Sequence, residues 1–432
     1  MLARHALRFV VVLLFGLGSA NAAELTTAQR HGVIDDVARL VAKNYVFPQK
    51  RDGIVAKLRA SEAAGRYDSI EPAKLADLVT EDLFAASNDK HLYMGFDPAR
   101  AESLKKPLNA DQSNAFYEEV GLRKNQGYEE MRILPGNIRY VRLTGFHWNG
   151  AVTRQTIADA ARFMAGGDAI IIDERGNGGG SAEAVQALVS YFLPPDNRIL
   201  MTFHDPAGVS STRVLSKLPA PRLVGKPLYV LIDGSTASAA EEFAAHVSLF
   251  KLGTLVGHTT AGGANNNDVY PVDPGFVLSV STGSPVHPVS NSNWEGVGVA
   301  PAIAVDASQA LDVAMELALK ERIASSPAEK QDAYRWALAG VQARTHPIVL
   351  DAKALVAYAG QYGVRKIWAD KGVLMFQRED RAPAVLTPLA DDLFAFSNNE
   401  DVRARFRRVG NKITGFDMIT PDGQAISVDR NS

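Results

Sequence analysis

The chain has 432 residues, of which 46% are hydrophobic and 22% charged, and its formal net charge is −2. This length allows two or three domains with a large core, and the charge gives no reason to expect nucleic acid or an anionic membrane as a partner. Because the chain contains no Cys, disulfides, thiolate metal sites and a cysteine nucleophile are excluded.

Residues 1–22 are typical of an export signal. Basic residues precede the apolar run 9–17, and Ala20-Asn21-Ala22 supplies small residues for cleavage before Ala23. The run is too short to span a bilayer, and no later segment approaches ~18 apolar residues, so we expect no stable membrane insertion. An uncleaved anchor is the alternative interpretation. The sequence therefore predicts an exported protein, periplasmic or secreted.

Helical spacing of apolar residues predicts an N-terminal helical subdomain over 25–96. Its first helix opens with the capping-box pattern Thr26-x-x-Gln29. Two further helices are predicted before the loop at Ser87-Asn88-Asp89, and a short extended segment follows. Residues 97–130 are polar and weakly patterned, so no firm element is predicted there.

Buried strands alternate with helices from 130 to 323, which favours an α/β core with parallel or mixed strands. Two apolar strands, 169–172 and 228–232, each pass through a turn of small residues into a helix. Beyond Pro347 short strands recur at regular spacing, and apolar residues alternate with Arg403, Arg405 and Arg407. This pattern predicts a separate antiparallel β-domain over 345–432.

The turn after the strand at 228–232 is the first candidate for catalysis. Ser238 would lie at the positive end of the following helix, where free N–H groups and the helix dipole favour developing negative charge. A serine nucleophile can be activated in this position. The alternative is that Ser235, Thr236 and Ser238 are ordinary N-cap residues.

A serine nucleophile also needs a base and donors for the oxyanion. The candidate bases are His91, His246 and His258, and the residues alone do not choose among them. The Gly176-to-Gly180 turn follows a buried strand, so its N–H groups can point outward unobstructed. A plain tight turn is the alternative. The glycines fit neither nucleotide-binding pattern, and no metal-binding motif is present, so we expect no cofactor and no metal.

The chain resembles the tail-specific (C-terminal processing) serine peptidase superfamily, in the branch of the interphotoreceptor retinoid-binding protein modules and the tricorn protease core. Four segments in the family's order carry the resemblance: Asn88 to Leu92, Ile172 to Gly180, Ser235 to Phe243 and Asn293 to Pro301. The resemblance implies a ClpP/crotonase-like βαβ core, with the helical subdomain before it and the β-domain after it.

The resemblance also implies roles for individual residues. Ser238 matches the nucleophile, His91 the base and Glu295 the residue that completes the relay. Ala239 and a glycine of the turn, Gly178 or Gly179, match the oxyanion hole.

Lys90 departs from the tricorn pattern, which has a serine directly before the histidine. The processing-peptidase branch instead uses a lysine base after the nucleophile. Here the only lysines between Ser238 and Ser325 are Lys251 and Lys320, and neither is in the matching loop. We also expect no PDZ insertion, because the stretch between His91 and Ile138 is shorter than a typical domain.

Two hypotheses follow for the function. The first is an exported serine peptidase that cleaves peptide or protein substrates by Ser–His(–Glu) acyl-enzyme chemistry. The second is a catalytically silent module that binds apolar ligands or peptides on the same fold, since fold does not fix function. The sequence does not predict the oligomeric state, the substrate or the role of the C-terminal domain.

Overall fold

The structure is a computed structural model that describes residues 25–68, 70–105 and 118–431. The predicted signal at 1–22 lies outside the described residues. Helices lie at Thr27–Asn44 (α1), Pro48–Ala63 (α2), Pro72–Ser87 (α3), Pro98–Lys105 (α4), Ala151–Ala165 (α5), Ala182–Val189 (α6), Ala239–Leu249 (α7), Ala310–Ser325 (α8), Ala328–Thr345 (α9) and Ala352–Tyr358 (α10). Short 3₁₀ turns lie at Asn125–Gly127 and Ser190–Phe192, and residues 118–123 are also helical.

The strands fall into three sheets. They lie at Tyr93–Phe96 (β1), Tyr128–Leu134 (β2), Ile138–Leu143 (β3), Ala169–Asp173 (β4), Ile199–Asp205 (β5), Gly208–Arg213 (β6), Leu228–Ile232 (β7), Thr254–Gly257 (β8), Asn266–Val272 (β9), Phe276–Val286 (β10), Ile303–Ala304 (β11), Gly360–Tyr362 (β12), Arg365–Asp370 (β13), Val373–Arg378 (β14), Ala384–Ala390 (β15), Leu393–Phe396 (β16), Asn399–Val409 (β17), Lys412–Ile419 (β18) and Ala425–Asp429 (β19). The protein is therefore α/β, as the sequence predicts.

The N-terminal helices form because each buries an apolar stripe. The Thr26 hydroxyl accepts the Gln29 N–H at 3.2 Å and the Gln29 side chain accepts the Thr26 N–H at 2.9 Å, which completes the capping box that begins α1. Helices α1, α2 and α3 share one core with β1, β9 and β10. Helix α3 ends at Asn88, whose φ of 54° turns the chain toward the segment that carries His91.

The central sheet has the strand order β11-β8-β7-β4-β3-β2. Strand β8 pairs in parallel with β7 and with β11. Every residue of β4 and of β7 is buried, which explains why both appear in the sequence as unbroken apolar runs. Each of these two strands leads through a turn into a helix, α6 or α7, and these turns carry the predicted nucleophile and glycine-rich segment.

A second sheet supports the segment that carries the predicted base. Strand β10 pairs antiparallel with β1, with Tyr93 opposite Ser279, and with β9 and β5. Strand β6 extends the sheet beyond β5. This sheet places Tyr93, the first residue of β1 and two residues after His91, beside a strand almost 190 positions later in the sequence.

The C-terminal sheet is an antiparallel meander in which β12 to β19 pair in sequence order. Its core is aromatic, with Phe394, Phe406 and Phe416 at most 4% exposed, and their rings meet edge-on or tilted. The predicted alternation along β17 holds for Ala404 and Phe406, but Arg403 is also buried, at 7% exposure.

Contacts divide the chain into two compact units. The first comprises 1–131, 140–166 and 172–307, and the second comprises 132–139, 167–171 and 308–432. All the predicted catalytic residues belong to the first unit. Within the ranges 25–68, 70–105 and 118–431, no helix combines the length and apolar character needed to cross a membrane.

Candidate active site

Ser238 is the N-cap residue of α7, after the turn that follows β7. Its backbone has φ 56° and ψ −122°, and residues other than glycine seldom have positive φ. Such a conformation costs of order 1–3 kcal/mol and persists only where its surroundings enforce it. The position suits an activated nucleophile, and it is also that of an N-cap residue, so both interpretations of this serine fit the backbone.

Asp233 organises the turn before this serine. Its Oδ1 accepts the N–H of Ser235 at 2.9 Å and that of Gly176, in the neighbouring glycine-rich turn, at 3.1 Å. The Thr236 hydroxyl donates to the Glu174 carbonyl at 2.8 Å. The two strand–turn–helix segments are therefore joined side by side at the level of their turns.

The glycine-rich turn lies directly against the nucleophile. A Cβ added at Gly179, where φ is 97°, would lie 2.8 Å from the Cβ of Ser238, so only glycine fits there. The Gly179 N–H donates to Asn177 Oδ1 at 2.9 Å. By contrast, the N–H groups of Gly178 and Ala239 have no acceptor among the described residues. Of the two glycines considered, Gly178 therefore has the amide that is free to bind an oxyanion.

Glu241 holds the backbone of Ser238 from inside the protein. Its carboxylate is fully buried and accepts the Ser238 N–H at 2.9 Å. It also accepts the N–H groups of Gly262 at 2.6 Å and Gly263 at 2.8 Å, and the Thr260 hydroxyl at 2.5 Å. Burial raises the pKa of Glu241, and these hydrogen bonds oppose that rise. This carboxylate joins the nucleophile to the loop over 260–265, hereafter the 260–265 loop.

His91 also lies against the 260–265 loop and is 7% exposed. Its N–H donates to Asp89 Oδ1 at 2.9 Å and its carbonyl accepts the Ser279 hydroxyl at 2.5 Å, so its backbone is fixed from both sides. The imidazole packs against Gly263, where an added Cβ would lie 2.8 Å from Cε1. The imidazole therefore touches the same loop that Glu241 holds.

Glu295 lies beside the imidazole, with Oε2 at 3.5 Å from His91 Nδ1. This is an ion-pair distance, and Nδ1 has no hydrogen-bond partner among the described atoms. Glu295 Oε1 accepts the Lys90 N–H at 2.8 Å. Its Oε2 accepts the N–H groups of Ala264 at 2.6 Å and Asn265 at 2.8 Å. The carboxylate is thus fixed between the His91 segment and the 260–265 loop.

Asp89 is a second buried carboxylate at this site, which the sequence analysis did not single out. Its Oδ2 accepts the Tyr45 hydroxyl at 3.1 Å and the Asn265 side-chain amide at 2.9 Å. Burial and the charge of Glu295 raise the pKa of Asp89. Burial alone would raise the pKa of Glu295 too, but His91 and the backbone donors hold it below its usual value. Glu295 is therefore the carboxylate that stays ionised beside the imidazole.

Asp89, His91 and Glu295 also present one ligand atom each within 4.8 Å of one another, a spacing that could hold a metal ion. However, each oxygen of the two carboxylates already accepts at least one N–H or O–H donor. The positive ends of those donor dipoles surround the carboxylates. The donor set suits the orientation of an imidazole better than the binding of a cation.

Lys90 lies directly before His91, where the tricorn pattern has a serine. Its backbone N–H serves Glu295, and its ammonium donates to the carbonyl of Ala261 in the 260–265 loop. The side chain is exposed. Lys90 therefore adds a further contact between the His91 segment and this loop.

Three of the four predicted segments, 88–92, 235–243 and 293–301, contact the 260–265 loop, and the fourth, 172–180, contacts the Ser238 turn. The Trp294 indole N–H donates to the Gly263 carbonyl at 3.3 Å, and the Gly296 N–H donates to the Gly262 carbonyl at 2.9 Å. Among the described residues no hydrogen bond joins Ser238 to His91 directly. Catalytic hydrogen bonds are often long before substrate binds, so the direct contact stays a prediction.

The contact between Gly263 and His91 supports a specific prediction. A Gly263→Ala substitution places a methyl group against the ring, and the imidazole has to move by a few tenths of an ångström or more. Because small misplacements of a catalytic group are costly, we expect activity to fall by ~10-fold or more. Gly234→Ala is the matched control, since the nearest atom to a Cβ added at Gly234 is the Thr259 carbonyl oxygen, at 4.0 Å. Steady-state kinetics of both variants measure the difference, and equal rates would contradict the prediction.

The other candidate bases lie elsewhere. His258 is exposed, and its Nδ1 is 3.2 Å from the Thr259 carbonyl oxygen. His246 is fully buried on α7, so its imidazole packs inside the protein. In the described part of the chain, neither histidine forms a hydrogen bond with Ser238.

His246 belongs to a buried chain of polar groups. The Val289 N–H donates to His287 Nδ1 at 3.2 Å, so neutral His287 carries its proton on Nε2 and donates to His246 Nδ1 at 3.1 Å. His246 then carries its proton on Nε2, 3.4 Å from Glu242 Oε1. Burial lowers the pKa of both histidines to about 3, with His246 adding to the shift of His287. Burial, reinforced by Glu183, raises the pKa of Glu242 to about 8.

The raised pKa of Glu242 predicts a pH-dependent stability. Between its ordinary pKa of 4.5 and about 8, the folded chain keeps a proton that the unfolded chain has lost. The resulting stabilisation is complete below pH 4.5 and is lost as the pH rises toward 8. In Glu242→Gln this loss disappears, and we expect the free energy of unfolding to fall between pH 5 and 8 by about 2–4 kcal/mol less than in the unmodified chain. Denaturant titrations at the two pH values test this, and parallel pH profiles would contradict it.

Two protein-family models match parts of this chain. Residues 137–305 match the model of peptidase family S41, and residues 18–127 match the N-terminal domain of Peptidase_S41 in eukaryotic IRBP. The carboxy-terminal processing protease CtpA of Bacillus subtilis (strain 168) is 28% identical over 156 residues, which is 36% of this chain and 32% of that protein. The match thus spans about a third of that relative.

Two solved structures are also similar. A putative peptidase from Parabacteroides merdae has a TM-score of 0.49 at 18% identity, over 69% of this chain and 99% of that one. The photosystem II D1 C-terminal processing protease has a TM-score of 0.41 at 16% identity, over 66% of this chain and 94% of that one. The two matched family regions together span more than half of the sequence, and the chain belongs to peptidase family S41, within the superfamily of tail-specific serine peptidases.

Proposed function

We propose that this protein is an exported serine peptidase that uses Ser238 as nucleophile, His91 as base and Glu295 as the residue that orients the base. The observation that carries the proposal is the shared 260–265 loop. Glu241 connects this loop to the backbone of Ser238, and Glu295 connects it to the His91 segment. The substrate would be a peptide or protein, and the chemistry needs no cofactor.

The proposed reaction begins when His91 Nε2 takes the proton of the Ser238 hydroxyl and the serine oxygen bonds to the scissile carbonyl carbon. The carbonyl oxygen becomes an oxyanion, which accepts the free N–H groups of Gly178 and Ala239. Collapse breaks the C–N bond, and the imidazolium gives its proton to the leaving amine. Water, deprotonated by the same imidazole, then hydrolyses the acyl-serine ester. Glu295 stabilises the imidazolium through Nδ1 in both halves.

A fluorophosphonate probe tests the proposal, because it reacts with activated serines. We expect one equivalent of adduct on Ser238, located by peptide mass spectrometry, and no adduct in Ser238→Ala. Ser235→Ala is the matched control, since Ser235 is an exposed hydroxyl on the same turn, and it should be labelled like the unmodified chain. A folded protein that is not labelled would favour the alternative, a silent module that binds apolar ligands or peptides.

Export is proposed from residues 1–22 alone. Expression of the full chain in a bacterial host with a periplasm should give a mature protein that begins at Ala23. N-terminal sequencing of the fractionated protein measures this, and an intact Met1 in the cytoplasmic fraction would refute export.

A further inference from the structure

The second compact unit contains a cleft that no catalytic role explains. It lies between α9 and the β17–β18 hairpin and has a volume of about 330 Å³. This is at the lower end of the size range of small-ligand sites. Its lining includes three arginines, one acidic residue and apolar side chains: Arg335, Arg403, Arg405, Asp332, Trp336 and Ile419.

Arg403 is the unusual member of this lining. Arg403 is only 7% exposed, and its guanidinium lies 3.8 Å from the centroid of the Trp336 ring. It donates one N–H to the Trp336 carbonyl, and no carboxylate contacts it among the described residues. Burial of a charge without a counter-ion is costly. Burial lowers the pKa of Arg403 to about 10, which still leaves it protonated at neutral pH.

The neighbouring charges do not neutralise the cleft. Arg335 is paired with Asp332 at 3.0 Å, so that pair contributes no net charge. Arg405 lies two residues after Arg403 on the same face of β17 and has no ion-pair partner in the described part of the chain. By contrast, Arg407 on that strand contacts both Asp417, at 3.2 Å, and Asp429, at 2.7 Å. Two positive charges therefore remain unpaired in the cleft.

We propose that this cleft binds a carboxylate group of a peptide, with Arg403 and Arg405 as its anion ligands. A guanidinium fixed by stacking presents its remaining N–H groups in a planar fork that matches a carboxylate. The ring of Trp336 and the side chain of Ile419 supply apolar surface for the rest of the bound residue. The volume admits about one or two amino-acid residues. The carboxylate can come from a free C-terminus or from an acidic side chain.

Isothermal titration calorimetry with the Ser238→Ala full-length chain tests this site independently of hydrolysis. The probes are acetyl-Ala-Ala-Leu with a free C-terminus, acetyl-Ala-Glu-Leu-amide, neutral acetyl-Ala-Ala-Leu-amide and inorganic phosphate. We expect at least one of the carboxylate probes to bind, with an affinity that falls as salt increases, and the neutral amide not to bind. Which carboxylate probe binds identifies the source of the group.

Two variants in the Ser238→Ala background decide whether the cleft is responsible. Arg405→Gln removes an exposed, unpaired charge and should weaken binding ~10-fold or more. Arg381→Gln, an exposed arginine outside the cleft, should bind like its parent. Absence of binding by both carboxylate probes, equal binding by Arg405→Gln and Arg381→Gln, or binding of phosphate alone would overturn the proposal. A failure of probe labelling at Ser238 would contradict the peptidase proposal but would leave this result unaffected.

Discussion

A Glu295→Gln chain is expected to hydrolyse a reporter peptide about 10³-fold more slowly than the unmodified chain, with little change in KM. Both oxygens of Glu295 face donors: Lys90 N–H on one side, and Ala264 and Asn265 N–H on the other. A glutamine has to turn its NH₂ group toward one of these sides, where two donors then oppose each other. The substitution also removes the charge that would stabilise the imidazolium of His91.

Two comparisons separate a role in the relay from a general loss of structure. His91→Ala should be slower than Glu295→Gln because it removes the base itself, and the double variant His91→Ala/Glu295→Gln should have about the same rate as His91→Ala, because residues that act as a unit are not additive. Asp89→Asn alters a buried carboxylate of the same segment but keeps the contact between His91 and Glu295, so it should retain more activity. A Glu295→Gln rate within threefold of the unmodified chain, for a folded protein, would exclude Glu295 from the relay.

The fold could be predicted where local patterns carry the information. The capping box at Thr26 and the apolar runs of β4 and β7 are visible within a few residues, because a helix start and a fully buried strand each have a local pattern. Strand β6 was missed because its residues are mostly exposed and show no apolar alternation. Helix α4, also missed, buries only Ala101, so it carries no apolar stripe.

The candidate catalytic residues could be predicted from the sequence, but the hydrogen-bond partners that hold them in place could not. The four motif segments identified Ser238, His91 and Glu295 as candidates, and the structure places all three around one loop. The role of Asp89 depends on Tyr45 and Asn265, which are 44 and 176 positions away, and no local pattern reveals such partners. Most donors to Glu295 and Glu241 are backbone amides, which every residue has, so sequence identity says little about them.

Glu241, which supports Ser238, could have been identified from the sequence. Ser238-x-x-Glu241 has the same capping-box spacing as Thr26-x-x-Gln29. In the structure Glu241 accepts the Ser238 N–H, as a capping box requires. The same carboxylate also extends to the N–H groups of Gly262 and Gly263. That second task depends on a loop more than 20 residues away, which the spacing alone does not reveal.

Because Glu241 binds both the backbone of Ser238 and the 260–265 loop, it is a positioning residue. Glu241→Gln is expected to lower kcat by ~10²-fold or more while KM changes little. Oε1 accepts the Thr260 hydroxyl and the Gly262 N–H, and Oε2 accepts the N–H groups of Ser238 and Gly263. A glutamine NH₂ group on either side faces at least one N–H that cannot reverse its direction. Each buried donor left without an acceptor costs about 1–3 kcal/mol, so the melting temperature should also fall.

Glu242→Gln is the matched control for this experiment. Glu242 is the next residue of the same helix and is also buried, but it faces His246 and Glu183 rather than the 260–265 loop. Its variant should keep the kcat of the unmodified chain near neutral pH. The rate of fluorophosphonate labelling distinguishes positioning from instability, because a misplaced Ser238 reacts slowly even in a folded protein well below its melting temperature. Equal labelling rates in the two variants would show that Glu241 supports the fold without positioning the nucleophile.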